Sequence, residues 1–467
     1  MQLPEAFIES MRLMLGDAVC NEFFTALSEP SPVTVRMNPF KIKQMDFSGD
    51  ERQLERVPWS SEGFYLSERP AFTFDPLFHC GTYYVQEASS MFLERAVRSC
   101  QGTLRRVLDL CAAPGGKSTL LRSILPEGCL LVSNEPLNTR AQVLAENMQK
   151  WGHPDVVVST NFPADFSPMR HFFDLIAADV PCSGEGMFRK DAQAVSEWSF
   201  ANVEKCWIRQ REIVRDVWSS LRPGGYFIYS TCTYNTHEDE ENVLWIAEEL
   251  GAEVLPIEIS SEWGVRGCLL ENVSLPVYHF IPPYTKGEGF FLALLRKKGE
   301  SDCFPEHLVR KKKGNSKQPV VPKKCKEWIG EYKDFDFQVV AGGFYAVRKE
   351  FTADLSFLQN FLKIIYAGVP VAMEKGKDLL PLPGLALSTA LSDSAFPIAS
   401  LTYEQAIAFL RKEAIVLGRD VPAGIVLVSY RGLPIGFVKN LGNRANNLYP
   451  AEWRIKSTHI PDCPMII

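Results

Sequence analysis

The sequence predicts an α/β fold: a Rossmann-like, doubly wound sheet, with a small N-terminal α+β domain before it and a small β-rich module after it. Three observations predict this. From Arg105 onward, short apolar runs that end in Asp, Glu or Cys alternate with amphipathic helical stretches, the pattern of a parallel sheet covered on both faces. Between the first such run and its helix lies a tight glycine loop, Ala112-Ala113-Pro114-Gly115-Gly116-Lys117. Before about residue 100 and beyond about residue 327 the alternation gives way to short runs punctuated by proline and glycine.

At 467 residues the chain is long enough for several domains. The expected division is an N-terminal α+β domain over 1–100, the doubly wound domain over 101–298, a basic linker over 299–326, an intermediate domain over 327–400 and a C-terminal module over 401–467. A composition of 46% hydrophobic and 23% charged residues is that of an ordinary globular protein. No apolar run is long enough to span a bilayer, and Met1-Gln2-Leu3-Pro4-Glu5 lacks the basic and apolar regions of a secretory signal. The 12 cysteines include no Cys-x-x-Cys pair, which argues against a zinc knuckle and for reduced thiols in a cytoplasm. The expectation is a cytoplasmic monomer with no membrane partner and no metal. Net charge is −6, yet residues 296–326 hold eleven Lys or Arg against three acids, enough to meet phosphates or simply to solvate a linker.

Taken in order, Ala6 to Leu27 carries helical periodicity, and Pro30 to Asn38 and Phe72 to Pro76 are short punctuated runs. Arg36, with aromatics nearby, is a candidate nucleic-acid contact, set against the commoner core role of scattered aromatics. Arg106-Val107-Leu108-Asp109-Leu110-Cys111 is the first sheet strand, Ser118 to Leu125 its helix, and Cys129 to Glu135 the second strand. Arg140 to Trp151 is a helix, Asp155 to Thr160 the third strand and Phe172 to Ala178 the fourth. Val203 to Leu221 is an amphipathic helix whose Trp207 and Trp218 read as packing residues. Arg222-Pro223-Gly224-Gly225 stops it, Tyr226 to Thr233 is the fifth strand, Glu238 to Leu250 a helix, and Gly289 to Arg296 closes the sheet. Beyond the linker, Phe335 to Val340, Phe344 to Val347 and Phe361 to Tyr366 read as short strands and Thr402 to Lys412 as a helix. Gly424 to Tyr430 and Ile435 to Lys439 flank a turn as a hairpin.

The loop chemistry narrows the ligand. In a doubly wound half, glycines let the backbone approach a nucleoside and a strand-end carboxylate grips the ribose hydroxyls; Glu135, eighteen residues after Lys117, has that place. The loop is neither Gly-x-Gly-x-x-Gly nor a Walker-type loop, so a ligand without a pyrophosphate is favoured, and S-adenosylmethionine fits. Two thiols then stand out. Cys182, in Asp179-Val180-Pro181-Cys182-Ser183-Gly184-Glu185-Gly186, follows the fourth strand, and Cys232 ends the fifth. A free cysteine is usually a small buried hydrophobe, but neighbouring strands would bring these two to one cleft. Two thiols beside a methyl donor point to a pyrimidine, whose carbon 5 becomes nucleophilic only after a thiolate adds at carbon 6. The attacking thiol has to ionise, and Asp179 is placed to hydrogen-bond the ring.

Asp109-Leu-Cys-Ala-Ala-Pro-Gly-Gly-Lys117, Asp179-Val-Pro-Cys-Ser-Gly-Glu-Gly186 and Ser230-Thr-Cys-Thr-Tyr234 resemble the signature blocks of the Sun family of RNA cytosine-5 methyltransferases. The likeness extends to Lys286-Gly-Glu-Gly-Phe-Phe291 and to Gly436-Phe-Val-Lys439 with Arg444, Asn447, Tyr449-Pro450 and Trp453-Arg454, so it covers nearly the whole chain. It implies an RNA-binding N-terminal domain over 1–100, a class I methyltransferase sheet, a PUA-like RNA-binding module at the C-terminus and ribosomal RNA or the small ribosomal subunit as partner. It also implies roles: Cys232 as nucleophile, Cys182 assisting proton removal and enzyme release, and Cys111, Ala112, Ala113, Pro114, Gly115, Gly116, Lys117, Glu135 and Asp179 as contacts of S-adenosylmethionine. Asp179, and Lys117 with it, would also lie near the base. Family members place an acid directly after the third strand for the adenine side, whereas this chain reads Thr160-Asn161-Phe162-Pro163-Ala164-Asp165; Asp165 serves there, or Asn161 substitutes. Lys439, Arg444 and Arg454 are candidate RNA contacts against the ordinary role of solvated charges. Cytosine-5 methylation of ribosomal RNA is the leading reading. Methylation of transfer RNA or another RNA at the same atom, and a non-catalytic ribosome-assembly factor, are the alternatives.

Overall fold

In a computed structural model, the residues described are 3–42, 54–299 and 321–457. The predicted basic linker falls largely on 300–320, outside the described residues; its end enters the helix Lys323–Glu327, whose Cys325 is buried.

The N-terminal periodicity resolves into two helices, Glu5–Leu15 and Asp17–Ser28, separated at Gly16, whose φ of 80° lies in the region that favours glycine. They bury Phe7, Met11 and Phe23 against Phe188, Trp198 and Tyr234 of the central domain. A four-stranded antiparallel sheet follows, in the order Glu55–Arg56, Gly63–Leu66, Val33–Met37, Tyr83–Val85. Arg36 on this sheet corrects the expectation of a nucleic-acid contact. It is fully buried, its Nε donates to Gln86 Oε1 at 2.8 Å and its Nη2 to Thr119 Oγ1 at 2.6 Å, and its guanidinium lies 4.6 Å from the Trp151 ring centre. Arg36 therefore ties the N-terminal sheet to the central domain. Lys41 does the same: its Nζ donates to the carbonyls of Cys80 (2.6 Å) and Lys150 (2.5 Å), capping the C-terminal end of the helix Asn138–Trp151, while burial lowers its amine to about 7.

The central sheet has nine strands. Its order is Ala252–Leu255, Phe290–Lys297, Leu221–Thr231, Phe173–Asp179, Arg106–Asp109, Leu130–Asn134, Val156–Ser159 and Ile364–Ala367, with Val277–Phe280 also pairing Phe290–Lys297. The five strands from Leu221–Thr231 to Val156–Ser159 are parallel. Successive strands are laid to one side of Arg106–Asp109 and then to the other, which makes the carboxyl end of that strand the topological switch point. Helices are where periodicity predicts them: Gly116–Ile124, Asn138–Trp151, Phe200–Val217 and Glu240–Glu249. One boundary moves. Arg222 to Gly225, expected to be only a stop, already belongs to the strand Leu221–Thr231, because the helix ends at Val217 and a short 3-10 turn, Trp218–Ser220, leads straight into the sheet.

The eighth strand is a second difference. The run expected near 361–366 forms Ile364–Ala367 and pairs antiparallel with Val156–Ser159. Val156–Ser159 is buried along its whole length, and an uncovered edge of that kind would expose unpaired backbone. The segment is fastened by an ion pair, Arg106 to Asp354 at 2.8 Å, both side chains nearly inaccessible, and by Leu355, Leu358 and Leu362 packing with Val157 and Phe172. Region 327–400 is thus built onto the central sheet, and it also carries its own sheet in the order 335–340, 343–348, 369–375, 378–381. The C-terminal module has a four-stranded sheet, Ile398–Ser400, Gly424–Tyr430, Leu433–Asn440 and Ala445–Asn447. Its helix Tyr403–Leu410 is opened by a Thr402–Gln405 capping box. Its core is continuous with that of the N-terminal sheet: Phe409, Val428 and Tyr449 pack with Val35, Phe74 and Leu77. No helix among the described residues is long and apolar enough to cross a membrane.

Candidate active site

The predicted loop sits at the switch point. Gly115 has φ 119°, a conformation that disfavours side chains, and a Cβ there would press to 3.4 Å from Asn147 Cβ and Leu144 Cδ1. The loop is held in shape by its neighbours: Ala112 N donates to Asn134 O (2.8 Å), Arg140 Nη2 to Ala113 O (2.9 Å) and Asn147 Nδ2 to Pro114 O (2.8 Å). Cys111, half-buried at the strand end, has its thiol pushed up by burial. Beneath the loop, Asp109 accepts from Ser118 Oγ at 2.6 Å, and burial pushes its carboxyl up to about 7.

Glu135 ends the second strand with 2% exposure. Its Oε1 accepts from Leu137 N at 3.0 Å and its Oε2 lies 3.3 Å from Arg140 Nη1. After the third strand, the two alternatives for the adenine side touch each other: Asn161 Nδ2 donates to Asp165 Oδ2 at 2.9 Å. Asn161 is otherwise committed. Its backbone N–H donates to Asn134 Oδ1 (3.1 Å), and its Oδ1 accepts from Lys363 N (2.8 Å), the residue before the edge strand. Asp165 is exposed.

On the other side of the switch point, Asp179 links three elements. Lys117 Nζ donates to its Oδ2 at 2.9 Å, and Ser230 Oγ donates to its Oδ1 at 2.9 Å. Burial works against the Lys117 charge, but the Asp179 carboxylate outweighs it and holds the amine above its usual range. Asp179 pairs in register with Ser230, so the loops that follow them emerge side by side. Their thiols meet: Cys182 Sγ and Cys232 Sγ are 3.1 Å apart, in hydrogen-bonding contact, and Cys232 N–H donates to Cys182 Sγ at 3.4 Å. The hydrogen bond with Cys232, and then burial, push the Cys182 thiol well above the ordinary range.

Two buried carboxylates that the sequence reading quoted without a role surround this pair. Glu185 accepts from Thr233 Oγ1 (2.6 Å), Tyr234 N (2.8 Å), Asn235 N (3.2 Å), Asn235 Nδ2 (3.0 Å) and Trp198 Nε1 (2.9 Å). Glu238 accepts from Ser183 N (3.0 Å), Gln210 Nε2 (2.7 Å) and Asn235 Nδ2 (2.9 Å). Burial raises the Glu238 carboxyl. The signal available in sequence was an acid set between glycines directly after a strand-end thiol, where neither turn formation nor core packing calls for one. Trp207 on the helix Phe200–Val217 stacks on His237 with centroids 4.7 Å apart, and Trp218, in the 3-10 turn just past it, is buried, so both pack as expected.

Comparisons with known proteins give the family. Family models match three regions: "16S rRNA methyltransferase RsmB/F" over residues 102–296, "N-terminal domain of 16S rRNA methyltransferase RsmF" over 3–88 and "Methyltransferase RsmF PUA domain" over 396–455. Ribosomal RNA small subunit methyltransferase F of Erwinia tasmaniensis is 30% identical over 474 residues, covering 96% of each chain. The protein of the same name from Shigella boydii serotype 4 is 32% identical over 483 residues, again with 96% of each covered. The chain belongs to the ribosomal RNA small subunit methyltransferase F family. It is an RNA methyltransferase. Among solved structures, NSun6 from Pyrococcus horikoshii with SFG superposes with TM-score 0.53 at 18% identity, over 64% of this chain and 99% of that one. A methyltransferase homolog protein from Pyrococcus horikoshii superposes with TM-score 0.50 at 24% identity, over 63% and 100%. Both likenesses are of fold. In this methyltransferase F family member the PUA module carries the other candidate residues: Lys439 pairs with Asp378 at 3.3 Å, and Arg444 and Arg454 are exposed.

Proposed function

We propose that this protein methylates carbon 5 of a cytosine in small-subunit ribosomal RNA, with S-adenosylmethionine as donor and a covalent bond between Cys232 and carbon 6 of the base. The observation that carries the reading is the contact of two thiols at 3.1 Å, from adjacent strand ends, beside the Lys117–Asp179–Ser230 group. Packing alone gives no reason for two sulfurs to converge at the carboxyl edge of a doubly wound sheet.

The residues fit the donor. Glu135 commits one oxygen to Leu137 N–H and the other to Arg140, and a carboxylate keeps lone pairs beyond those for ribose hydroxyls. The 112–117 loop takes its tight bend against the helix Asn138–Trp151 because Gly115, at φ 119°, has no side chain, and Asp165 offers an exposed carboxylate for an exocyclic amine. S-adenosylmethionine, when bound, supplies a methyl group made electrophilic by its sulfonium. The chain's own groups do the remainder. Cys232, as thiolate, forms the S–C6 bond with its own electron pair, and the C5–C6 π pair is displaced onto carbon 5, with Asp179 hydrogen-bonded on the ring-nitrogen side. Cys182 starts protonated, because the sulfur beside it raises its pKa. Once Cys232 is a thioether it no longer bears charge and that cause disappears, leaving burial alone to hold the thiol up; Cys182 then gives its proton to water and, as thiolate, takes the one from carbon 5. Loss of that proton restores the C5–C6 double bond and expels Cys232.

The test is to incubate the protein with radiolabelled S-adenosylmethionine and small ribosomal subunits or their naked RNA, and to map the labelled base. Label is expected on a cytosine C5, and Cys232→Ala is expected to abolish it. Label on a nitrogen or a ribose oxygen, or full turnover by Cys232→Ala, would falsify the mechanism.

A further inference from the structure

We infer that Glu185 and Glu238 are positioning residues that form a reciprocal clamp, each reaching from the loop of one thiol to the chain beside the other. The inference rests on the roles proposed above for Cys182 and Cys232. Glu185 lies three residues after Cys182, on the same loop, and binds Thr233, Tyr234 and Asn235, the three residues that follow Cys232. Glu238 lies six residues after Cys232 and binds the backbone N–H of Ser183, the residue that follows Cys182. Asn235 joins the two acids: its Nδ2 donates to Glu185 Oε1 at 3.0 Å and to Glu238 Oε1 at 2.9 Å. A backbone bond, Gly186 N to Cys232 O at 2.8 Å, completes the contact between the loops.

The chemistry of the acceptors explains why these are acids. Both carboxylates are at most 2% exposed, and each is surrounded by N–H and O–H donors. Burying a charge of this kind costs several kcal/mol unless hydrogen bonds replace its water, so the fold keeps it only where all donors point at one spot. An ionised carboxylate accepts at both oxygens, whereas an amide accepts at one and donates at the other. Cys232 is held on its other flank too, since Thr231 Oγ1 donates to Asp239 Oδ1 at 2.6 Å. Both threonines of Thr231-Cys232-Thr233 therefore direct their hydroxyls into buried acids, leaving the thiol between them little freedom.

The experiment compares Glu185→Gln, Thr233→Val and Thr233→Ser with wild type in steady-state methylation, and repeats each in a Cys182→Ala background to time formation of the denaturant-resistant protein–RNA adduct. Glu185→Gln keeps the shape but turns an N–H toward Trp198 Nε1–H and Asn235 Nδ2. A misplacement of ~1 Å costs about 10²-fold in rate, so kcat and adduct formation are expected to fall together by about that factor while KM for S-adenosylmethionine and for RNA stays within about twofold. Thr233→Val is expected to fall less, and Thr233→Ser, which keeps the hydroxyl, to recover most of that loss. Wild-type kcat in Glu185→Gln, or equal kcat in the Val and Ser variants, overturns the clamp. If Glu185→Gln fails to fold, the Val and Ser pair decides. Turnover by Cys232→Ala would instead overturn the nucleophile assignment, so the two failures are separable.

Discussion

The carboxyl edge of the central sheet has two halves that meet at Arg106–Asp109, and they are built differently. The half after Phe173–Asp179 and Leu221–Thr231 is tightly braced: two thiols in contact, two buried acids, Glu185 and Glu238, tying their loops to one another, and a third, Asp239, holding Thr231 within the Cys232 segment. The half after Leu130–Asn134 and Val156–Ser159 carries Glu135, Asn161 and Asp165, and its outer side is closed by Ile364–Ala367, from two hundred residues downstream. Bond-making needs reacting atoms fixed within fractions of an ångström. Holding an adenosine needs mainly a surface of the right shape and a few polar groups. The clamped half serves the first demand, and the half completed by a distant segment serves the second.

The largest test of this contrast lies in the clamped half. Cys182→Ala removes the group proposed to take the carbon 5 proton but leaves Cys232 in place. Turnover is expected to fall by several orders of magnitude, while a protein–RNA adduct that survives denaturant accumulates, scored by gel shift. If Cys182→Ala turns over without accumulating adduct, the division of labour between the thiols fails.

The next test breaks the other half from outside. Arg106→Met leaves Asp354 buried without the guanidinium 2.8 Å away. Removing one partner of a buried pair costs about 3–5 kcal/mol, so the melting temperature is expected to fall by several degrees. KM for S-adenosylmethionine should rise more than kcat falls, because the disturbed segment closes the binding half. A variant that instead lost kcat at unchanged KM would show that the edge strand supports the chemistry.

The parts legible in sequence and the parts that were not divide along the same line. Arg106 to Ile124 reads clearly because one apolar run, one glycine loop and one helix are consecutive, and the thiols read as a pair because each ends such a run. The pairing of Ile364–Ala367 with Val156–Ser159 does not, since four apolar residues say nothing about which edge they will cover. Arg36 reads in sequence as a candidate nucleic-acid contact set against a core role for its aromatic neighbours; its burial depends on Gln86, Thr119 and Trp151, which adjoin it only in the fold. Glu185 was visible as a residue but not as a clamp, because the donors that link it to the Cys232 loop lie some fifty positions away in 233–235.

Asp109 stands on the strand that both halves share. Its folded carboxyl is raised to about 7, above the ordinary range near 4 that it has unfolded. The folded state therefore binds the extra proton: this group's stabilisation is complete below about pH 4 and is lost as pH rises through about 7. Asp109→Asn removes the titration and keeps an acceptor for Ser118 Oγ. Its melting temperature relative to wild type is expected to climb between pH 5 and pH 8; a pH-independent gap would mean that Asp109 is already ionised across that range.

The smallest effect decides between the two residues after the third strand. Asn161 spends its side chain on Asp165 and on Lys363 N, and its backbone N–H on Asn134, so it works as a joint between the strand-end loop and the edge strand. Asp165 takes Asn161 Nδ2 and Phe162 N (3.1 Å) on the same oxygen, Oδ2, and its exposed carboxylate retains capacity for an exocyclic amine. Asp165→Ala is accordingly expected to raise KM for S-adenosylmethionine about tenfold, the scale of one hydrogen bond to a charged group, with kcat and melting temperature little changed. Asn161→Ala is expected to lower the melting temperature as well, since it loosens the joint. If Asn161→Ala raises KM at an unchanged melting temperature while Asp165→Ala leaves KM alone, the adenine contact belongs to Asn161, and the binding half is as tightly specified by its own loop as the clamped half is.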